Sequence, residues 1–314
     1  MSLAIGVDIG GTKVLGAVVD DEGKVLGEAR RDTPADDVSG VHDSIIEVIR
    51  ELSDTHDVTS VGIGAAGWID AERATVLFAP NLAWRNEPLR DKIAADVDVP
   101  VVVENDANVA AWAEFRYGAA READSALLFT VGTGIGGGAV IDGRLLRGAH
   151  GVAAEFGHML AVPGGHICGC GRYGCIEQYA SGSALVRFAR EHATHDPAKA
   201  AALLELAGGD VAAIDGPMVT AAAQNGDRAA CEAFARIGAY LGEGLADMAQ
   251  VFDPEVLIIG GGVIEAGELL LDPARAAYGK ALAARSRLPV AEVRAAQLGV
   301  HAGVIGAADL SRVR

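Results

Sequence analysis

The segment from Glu155 to Glu177, EFGHMLAVPGGHICGCGRYGCIE, holds three of the chain's four cysteines, two histidines and a carboxylate at each end. Thiolate sulfur and imidazole nitrogen suit a borderline-soft ion such as zinc, and His158, Cys168, Cys170 and Cys175 together fill a tetrahedron. With no position left for water or substrate, such a metal holds a loop in shape and does not polarise a reactant. Gly169, Gly171 and Gly174 let the backbone turn tightly between these ligands. Two other readings stand beside this one. The cysteines could be free or disulfide-bonded near an unrelated histidine, although a Cys168–Cys170 bridge would be strained. His166 competes with His158 for the place of the nitrogen ligand. If His158 binds, the metal fixes Glu155 and Glu177 relative to each other, and its loss is expected to scatter both. The phosphate-type turns elsewhere in the chain are expected to survive that loss.

Three glycine turns follow apolar runs: Asp8-Ile9-Gly10-Gly11-Thr12-Lys13, Gly132 to Gly138 (GTGIGGG), and Gly260 to Gly262. Such turns let backbone N–H groups approach a phosphate, and the hydroxyls of Thr12 and Thr133 add donors. Gly132, Gly134 and Gly137 match GxGxxG, as do Gly62, Gly64 and Gly67, but a dinucleotide fingerprint requires a helix after the glycines. A strand pattern follows the first match and Trp68-Ile69-Asp70 the second, so both lose weight. No Walker-type GxxxxGK[ST] is present. Asp8 ends a buried strand, where a carboxylate needs a cation or a hydrogen-bond network, and Mg2+ fits that need. Asn105-Asp106 stands where a strand runs into a helix, a place that also suits a plain helix cap.

The elements that must position these residues follow from periodicity. Residues 3–9, 14–20 and 24–30 read as a three-stranded meander. Apolar residues Val41, Ile45, Ile49 and Leu52 predict a helix over 41–55 with Ser39 as its cap. A strand over 61–67, a loop with Pro80, Asn81, Trp84 and Pro88, a short helix near 87–97, a strand from 101 and a helix over 107–117 come next. From Ser125 the opening pattern returns: strand, Gly/Thr turn, strand, Asp142-Gly143 turn and the strand RLLRG. That repetition argues for a duplication of two related halves. Residues 182–252 read as alanine-rich scaffold helices broken near Pro197, Gly208-Gly209 and Gly216-Pro217. PEVLIIGGGV reads as a strand into a turn and helix, and a last helix follows Gly299.

At 314 residues the chain can form two cores, and its 50% apolar content supports a well-buried globular protein. With 26 basic against 43 acidic residues, a net charge of −17 and no basic run, nucleic acid and anionic membranes are poor partners. No apolar run approaches the length of a membrane span, so a cytoplasmic protein is expected. Cys231, alone in a helical pattern, reads as a small buried apolar residue.

Taken together, DIGGTK, GTGIGGG, Glu155-x-Gly-His158 and Cys168-x-Cys170-Gly-x-x-Gly-Cys175-x-Glu177 resemble the ROK family of sugar kinases and repressors. The similarity spans essentially the whole chain. It implies an α/β protein with the duplicated actin-like (ribonuclease H-like) ATPase fold, two domains and a central cleft where hexose and ATP-Mg meet. The expected domains are a small one over 1–108, joined by the C-terminal helix 300–314, and a large one over 109–299 with the zinc loop. Repressors of the family carry a helix-turn-helix before the first strand. This sequence begins on that strand, so the kinase branch is expected.

The implied activity is ATP-dependent phosphorylation of glucose at the 6-hydroxyl. The alternatives are another hexose (fructose, mannose, allose or N-acylmannosamine) or a non-catalytic sugar sensor. By the resemblance Asp106 is the base, and Gly67, Asn81, Asn105, Glu155, His158 and Glu177 hold the other sugar hydroxyls. Asp8, Gly10, Gly11, Thr12, Lys13, Thr133 and Gly134 meet Mg2+ and the nucleotide phosphates, while Gly261 and Gly262 border the adenosine. His158 is implied to bind structural zinc through one ring nitrogen and sugar through the other. The family often has proline where this chain has His166. A homodimer or homotetramer is expected.

Overall fold

Short Gly/Asp turns between Val- and Ile-rich runs make the N-terminus a meander. The computed structural model describes residues 2–285 and 288–313. In it β1 (Leu3–Ile9), β2 (Lys13–Val19) and β3 (Val25–Asp32) pair antiparallel in succession. The first helix, α1 (Val38–Ser53), buries Val41, Ile45, Ile49 and Leu52 as the spacing predicts. Its cap is Asp37 and not Ser39: Asp37 directly precedes the helix and its carboxylate accepts the Ser39 N–H. The next strand, β4 (Val58–Ala65), lies parallel to β1.

Where only a loop was expected, β5 (Trp68–Ile69), β6 (Val76–Phe78) and β7 (Arg85–Glu87) form a small antiparallel sheet. Strands of two or three residues are too short to show a period. After α2 (Leu89–Ala94), β8 (Val101–Asn105) pairs parallel with β4, giving the order β3-β2-β1-β4-β8. The chain then enters α3 (Asp106–Tyr117).

The second run opens with β9 (Ala126–Val131) and β10 (Ile135–Ile141). The expected strand RLLRG shrinks to β11 (Arg144–Leu145). The metal-type segment forms a 3-10 turn at Phe156–His158 and α4 (Glu177–Ala180). Four helices follow: α5 (Gly182–His195), α6 (Ala201–Leu206), α7 (Gly216–Gln224) and α8 (Arg228–Phe252). Gly216-Pro217, read as a break, instead opens α7: Asp215 caps it, and proline in the first turn lacks only an N–H that has no helical partner there. The last elements are β12 (Val256–Gly260), α9 (Glu268–Ala281), β13 (Glu292–Ala295) and α10 (Ala302–Arg312). Sequence patterning missed β13, an edge strand parallel to β12 in which only Val293 is fully buried. The second sheet runs β11-β10-β9-β12-β13, the same spatial order as the first, so the duplication is one of topology.

By contacts the chain divides into two compact units. One is Met1–Leu128 with Gly138–Ala154 and Gln297–Arg314, the other Phe129–Gly137 with Glu155–Ala296. Met1 and Arg314, at the ends of the expected segments 1–108 and 300–314, lie outside the described residues. In the first unit, strand alternation sends Ile5, Val7 and Ile9 into a core with Ile45 and Ile49 of α1. Ala4 faces the other way, toward Val304 and Ala308 of α10. Gly6 shares that side, and a Cβ there would sit 1.8 Å from the Val304 carbonyl oxygen, so α10 rides directly on the strand. Asp8 continues the same alternation. Among the described residues no helix is long and apolar enough to cross a membrane.

Candidate active site

In the first unit Asp8 occupies the last turn-facing position on the α10 side of β1. A Cβ on Gly303, in the first turn of α10, would lie 2.7 Å from the Asp8 carboxyl carbon, so only glycine admits the carboxylate there. The small-residue run HAGVIG was the one signal for this contact, and sequence reasoning did not use it. Burial pushes the Asp8 carboxyl up to about 7; the charge of Asp106 adds to the rise and Lys13 opposes it. The adjoining turn is tied down. Gly10 N–H donates to the Lys13 carbonyl (3.0 Å), and the Thr33 hydroxyl donates to the Gly10 carbonyl (3.0 Å). Thr12 is exposed at its tip. Asn81 lies beside Gly11, its Cβ 3.4 Å from where a Gly11 side chain would begin.

Asn105 and Asp106 sit where β8 ends and α3 starts. Asn105 does cap the helix, its Oδ1 accepting the Asn108 N–H (3.0 Å). Its amide group has further work: Nδ2 donates to the Gly67 carbonyl (3.0 Å) and to Asp106 Oδ1 (3.0 Å). The cap reading therefore holds, and the same side chain also ties the Gly67 carbonyl to the Asp106 carboxylate. Gly67 has φ +151, and a Cβ would meet the Phe78 carbonyl oxygen at 2.3 Å, so the residue must be glycine. Asp106 Oδ1 also accepts the Ala107 N–H (2.9 Å). Burial holds the Asp106 carboxyl above the usual range against these bonds. Two carboxylates with raised proton affinity thus belong to one unit.

The second unit offers backbone and shape. The turn after β9 is closed by Gly132 N–H to the Gly134 carbonyl (3.0 Å). It is held to the start of α5 by Gly182 N–H to the Gly132 carbonyl (2.7 Å) and by the Ser183 hydroxyl to the Thr133 carbonyl (2.7 Å). Thr133 and Gly262 line a cavity of 580 Å³ together with Pro217, Thr220 and Gln224 of α7. Gly261, with φ +85, lies behind it against the Val131 backbone. The helices read as plain scaffold are thus partly cavity wall, since α5 and α7 both contribute. Single polar residues in an alanine-rich helix carry no spacing signal that could have revealed this.

His158, Cys168, Cys170 and Cys175 place one ligand atom each within 4.8 Å of the others. Cys168 Sγ is 3.6 Å from His158 Nδ1, and Cys170 Sγ is 3.7 Å from Cys175 Sγ. Bonds of about 2.3 Å to a tetrahedral ion put ligand atoms about 3.8 Å apart, so the set fits such an ion. His166 is elsewhere: its N–H donates to the Tyr179 hydroxyl (2.8 Å) and its ring packs on that tyrosine. His158 Nε2 points toward Glu155, 3.8 Å from Oε2.

Glu177 joins two features that the sequence reading kept apart. Oε1 is 3.4 Å from Cys168 Sγ, while Oε2 accepts the Ile135 N–H (3.1 Å). A Cβ on Gly134 would meet Oε2 at 2.3 Å. The Thr133 turn, expected to survive loss of the metal, thus shares Glu177 with the metal segment.

A family model described as the ROK family matches residues 4–314. A glucokinase of Streptomyces coelicolor is 47% identical over 312 residues, 99% of this chain and 98% of the relative. A glucokinase of Thermotoga maritima is 39% identical over 314 residues, 99% of this chain and 97% of the relative. A crystal structure of a ROK family glucokinase from Streptomyces griseus in complex with glucose and AMPPNP superposes with a TM-score of 0.90 at 52% identity, covering 99% of both chains.

Proposed function

The chain belongs to the ROK family, and from that premise we propose that it is an ATP-dependent glucokinase, transferring the γ-phosphoryl group of ATP to the 6-hydroxyl of glucose. The observation that carries the reading is Asp106: a carboxylate at the mouth of α3, aimed by Asn105 and the Ala107 N–H, with its proton affinity raised by burial. Even with its proton affinity raised by burial, a carboxylate is far too weak a base to ionise a sugar alcohol in advance. Asp106 orients the hydroxyl and accepts its proton as the oxygen–phosphorus bond forms and the bond to ADP breaks. Transfer through a loose transition state leaves positioning and charge neutralisation as the main sources of rate.

Asn81, Asn105 and the Gly67 backbone in the first unit, and Glu155, His158 and Glu177 in the second, are assigned to the remaining hydroxyls. Backbone N–H groups of Gly11, Thr12 and Gly134, with Lys13 and the Thr12 and Thr133 hydroxyls, are assigned to the phosphates, while Gly10, whose N–H is held by the Lys13 carbonyl, shapes the turn. The cavity bordered by Gly262, with Gly261 supporting its wall, is assigned to the adenosine. Its 580 Å³ is ample for a nucleoside.

Asp8 supplies the hard oxygen donor that Mg2+ prefers, and bound Mg2+ would neutralise phosphate charge there. The Cys3His group fits zinc, which would keep the segment from Glu155 to Glu177 in shape. A cytoplasmic homodimer or homotetramer completes the reading implied by the family resemblance.

A panel of hexoses assayed against ATP and polyphosphate, with the sugar product analysed, tests the proposal. Glucose-dependent ADP release with phosphate on the 6-oxygen is expected. Preference for another hexose would replace the substrate, and no hexose-dependent release would leave only a sugar sensor.

A further inference from the structure

One buried charge cluster beside the active site has no part in the mechanism above. Glu104, 1% exposed, is the residue before Asn105 at the end of β8. Its Oε1 accepts the Asn105 N–H (2.9 Å) and the Asn108 Nδ2 group (3.1 Å). Its Oε2 lies 2.6 Å from Arg147 Nε and 3.2 Å from Arg73 Nε. Arg147 is fixed in turn: its two terminal nitrogens donate to the carbonyls of Ala71 and Asp70, both at 2.7 Å. Arg73 accepts the Val103 N–H at its own carbonyl (3.1 Å). The Glu104–Arg147 contact is one of charge and not an aligned hydrogen bond, since neither Oε2 nor Nε has a hydrogen-bond partner among the described residues.

A buried pair of this kind contributes little to stability compared with apolar residues of the same volume. Its effect is one of placement. The two oxygens of Glu104 face opposite tasks. One grips the backbone and helix turn that carry Asn105 and Asp106; the other is anchored to guanidiniums pinned on the Asp70–Arg73 loop. Asn105 Nδ2 then reaches Asp106 Oδ1 and the Gly67 carbonyl. Every link from Arg147 to the base is thus a polar contact of 2.6–3.0 Å.

We infer that Glu104, anchored by Arg147 and Arg73, is a positioning residue for phosphoryl transfer: it sets where the Asp106 carboxylate meets the sugar hydroxyl. The inference rests on the glucokinase reading. Glu104→Gln keeps the size and one oxygen but loses the charge that holds the guanidiniums. A displacement of the base on the order of 1 Å costs about 100-fold in rate.

The test measures kcat per glucose-binding site, with sites counted by calorimetric titration, for wild type, Glu104→Gln and Arg147→Lys. Arg147→Lys retains the charge but cannot reach Oε2 and two carbonyls together, and it serves if Glu104→Gln does not fold. Both variants are expected to lower kcat per site by about 10- to 100-fold while the glucose Kd moves less than about threefold. A purely structural role would lower the melting temperature and the number of sites and leave kcat per site unchanged; that result in either folded variant overturns the inference. Wild-type protein without glucose-dependent turnover would instead overturn the glucokinase reading on which it rests.

Discussion

The two glycine turns that follow the first strand of each sheet occupy equivalent places in the same strand order, and they carry opposite chemistry. The turn after β1 is charged: Asp8 and Lys13 flank it, and Asp106 belongs to the same unit. The turn after β9 has Thr130 near its start, where the hydroxyl accepts the Gly136 N–H (3.2 Å), and the carboxylate on it arrives from the metal segment as Glu177. Duplication therefore supplies two glycine turns at equivalent places, while the side chains around them differ. On the proposed reading, the first unit's Asp106 and Asp8 serve the proton and the cation, and the second unit contributes backbone, cavity wall and the Cys/His segment. Loss of Asp106 should fall on kcat, while changes to the second unit's ligand contacts, and to the first unit's own glycine turn, should fall on binding.

The largest expected effect is in the first unit. Asp106→Ala should lower kcat by about 1,000-fold or more, within the range for loss of a general base. Its glucose Kd should stay within about tenfold, because proton acceptance matters in the transition state. Steady-state kinetics beside calorimetry checks this, and near-normal kcat would break the comparison at its strongest point.

Next is the metal segment. Cys168→Ala, Cys170→Ala and Cys175→Ala should each lose the metal, seen by elemental analysis, and lower the melting temperature by about 5–10 °C. Glucose affinity should fall most, with His158→Ala the worst. Nucleotide affinity should fall less but measurably, because Glu177 ties the Thr133 turn to Cys168. Cys231→Ala should change none of these.

A smaller effect separates the two turns themselves. Gly11→Val places a side chain at ordinary contact distance from Asn81 and should raise the KM for ATP by roughly tenfold, the equivalent of one lost charge-assisted bond. Gly134→Val pushes Glu177 aside, so it should raise the KM for glucose and for ATP together. A Gly134 effect confined to ATP would show that Glu177 does not couple the turn to the sugar.

A further effect is one of pH. An unfolded aspartate titrates near 4, whereas Asp8 in the folded chain titrates at about 7. The folded chain binds this proton more tightly, so its stability falls as pH rises from about 4 to about 7 and then levels off. Asp8→Asn removes that penalty. Its melting temperature without ligands should exceed that of wild type at about pH 8 and converge with it near pH 4. A constant offset across that range would mean that Asp8 titrates normally.

Much of this division was legible in the sequence. Long periodic elements such as α1 and β1 declare themselves through buried residues at fixed intervals, and the Cys3His set through spacing that few other chemistries need. Asp8 and Asp106 stood out as carboxylates at strand ends. What stayed hidden depends on contacts between residues remote in sequence: Gly303 against Asp8, Arg147 against Glu104, Glu177 against Ile135. Strands of two or three residues, such as β5 and β11, carry no period at all. The Ser39 cap failed for a local reason: Asp37 stands two residues earlier and its carboxylate accepts the N–H of Ser39 itself, which places Ser39 inside the first turn.

The most direct test of the division is a calorimetric glucose titration of Asp106→Ala and Glu177→Ala, each paired with its kcat at saturating glucose. Asp106→Ala should bind glucose nearly as wild type and turn over hardly at all. Glu177→Ala should lose affinity and retain far more of its kcat than Asp106→Ala. If Asp106→Ala loses glucose binding as Glu177→Ala does, or if both variants lose kcat alike, the proton chemistry and the binding are not divided between the units.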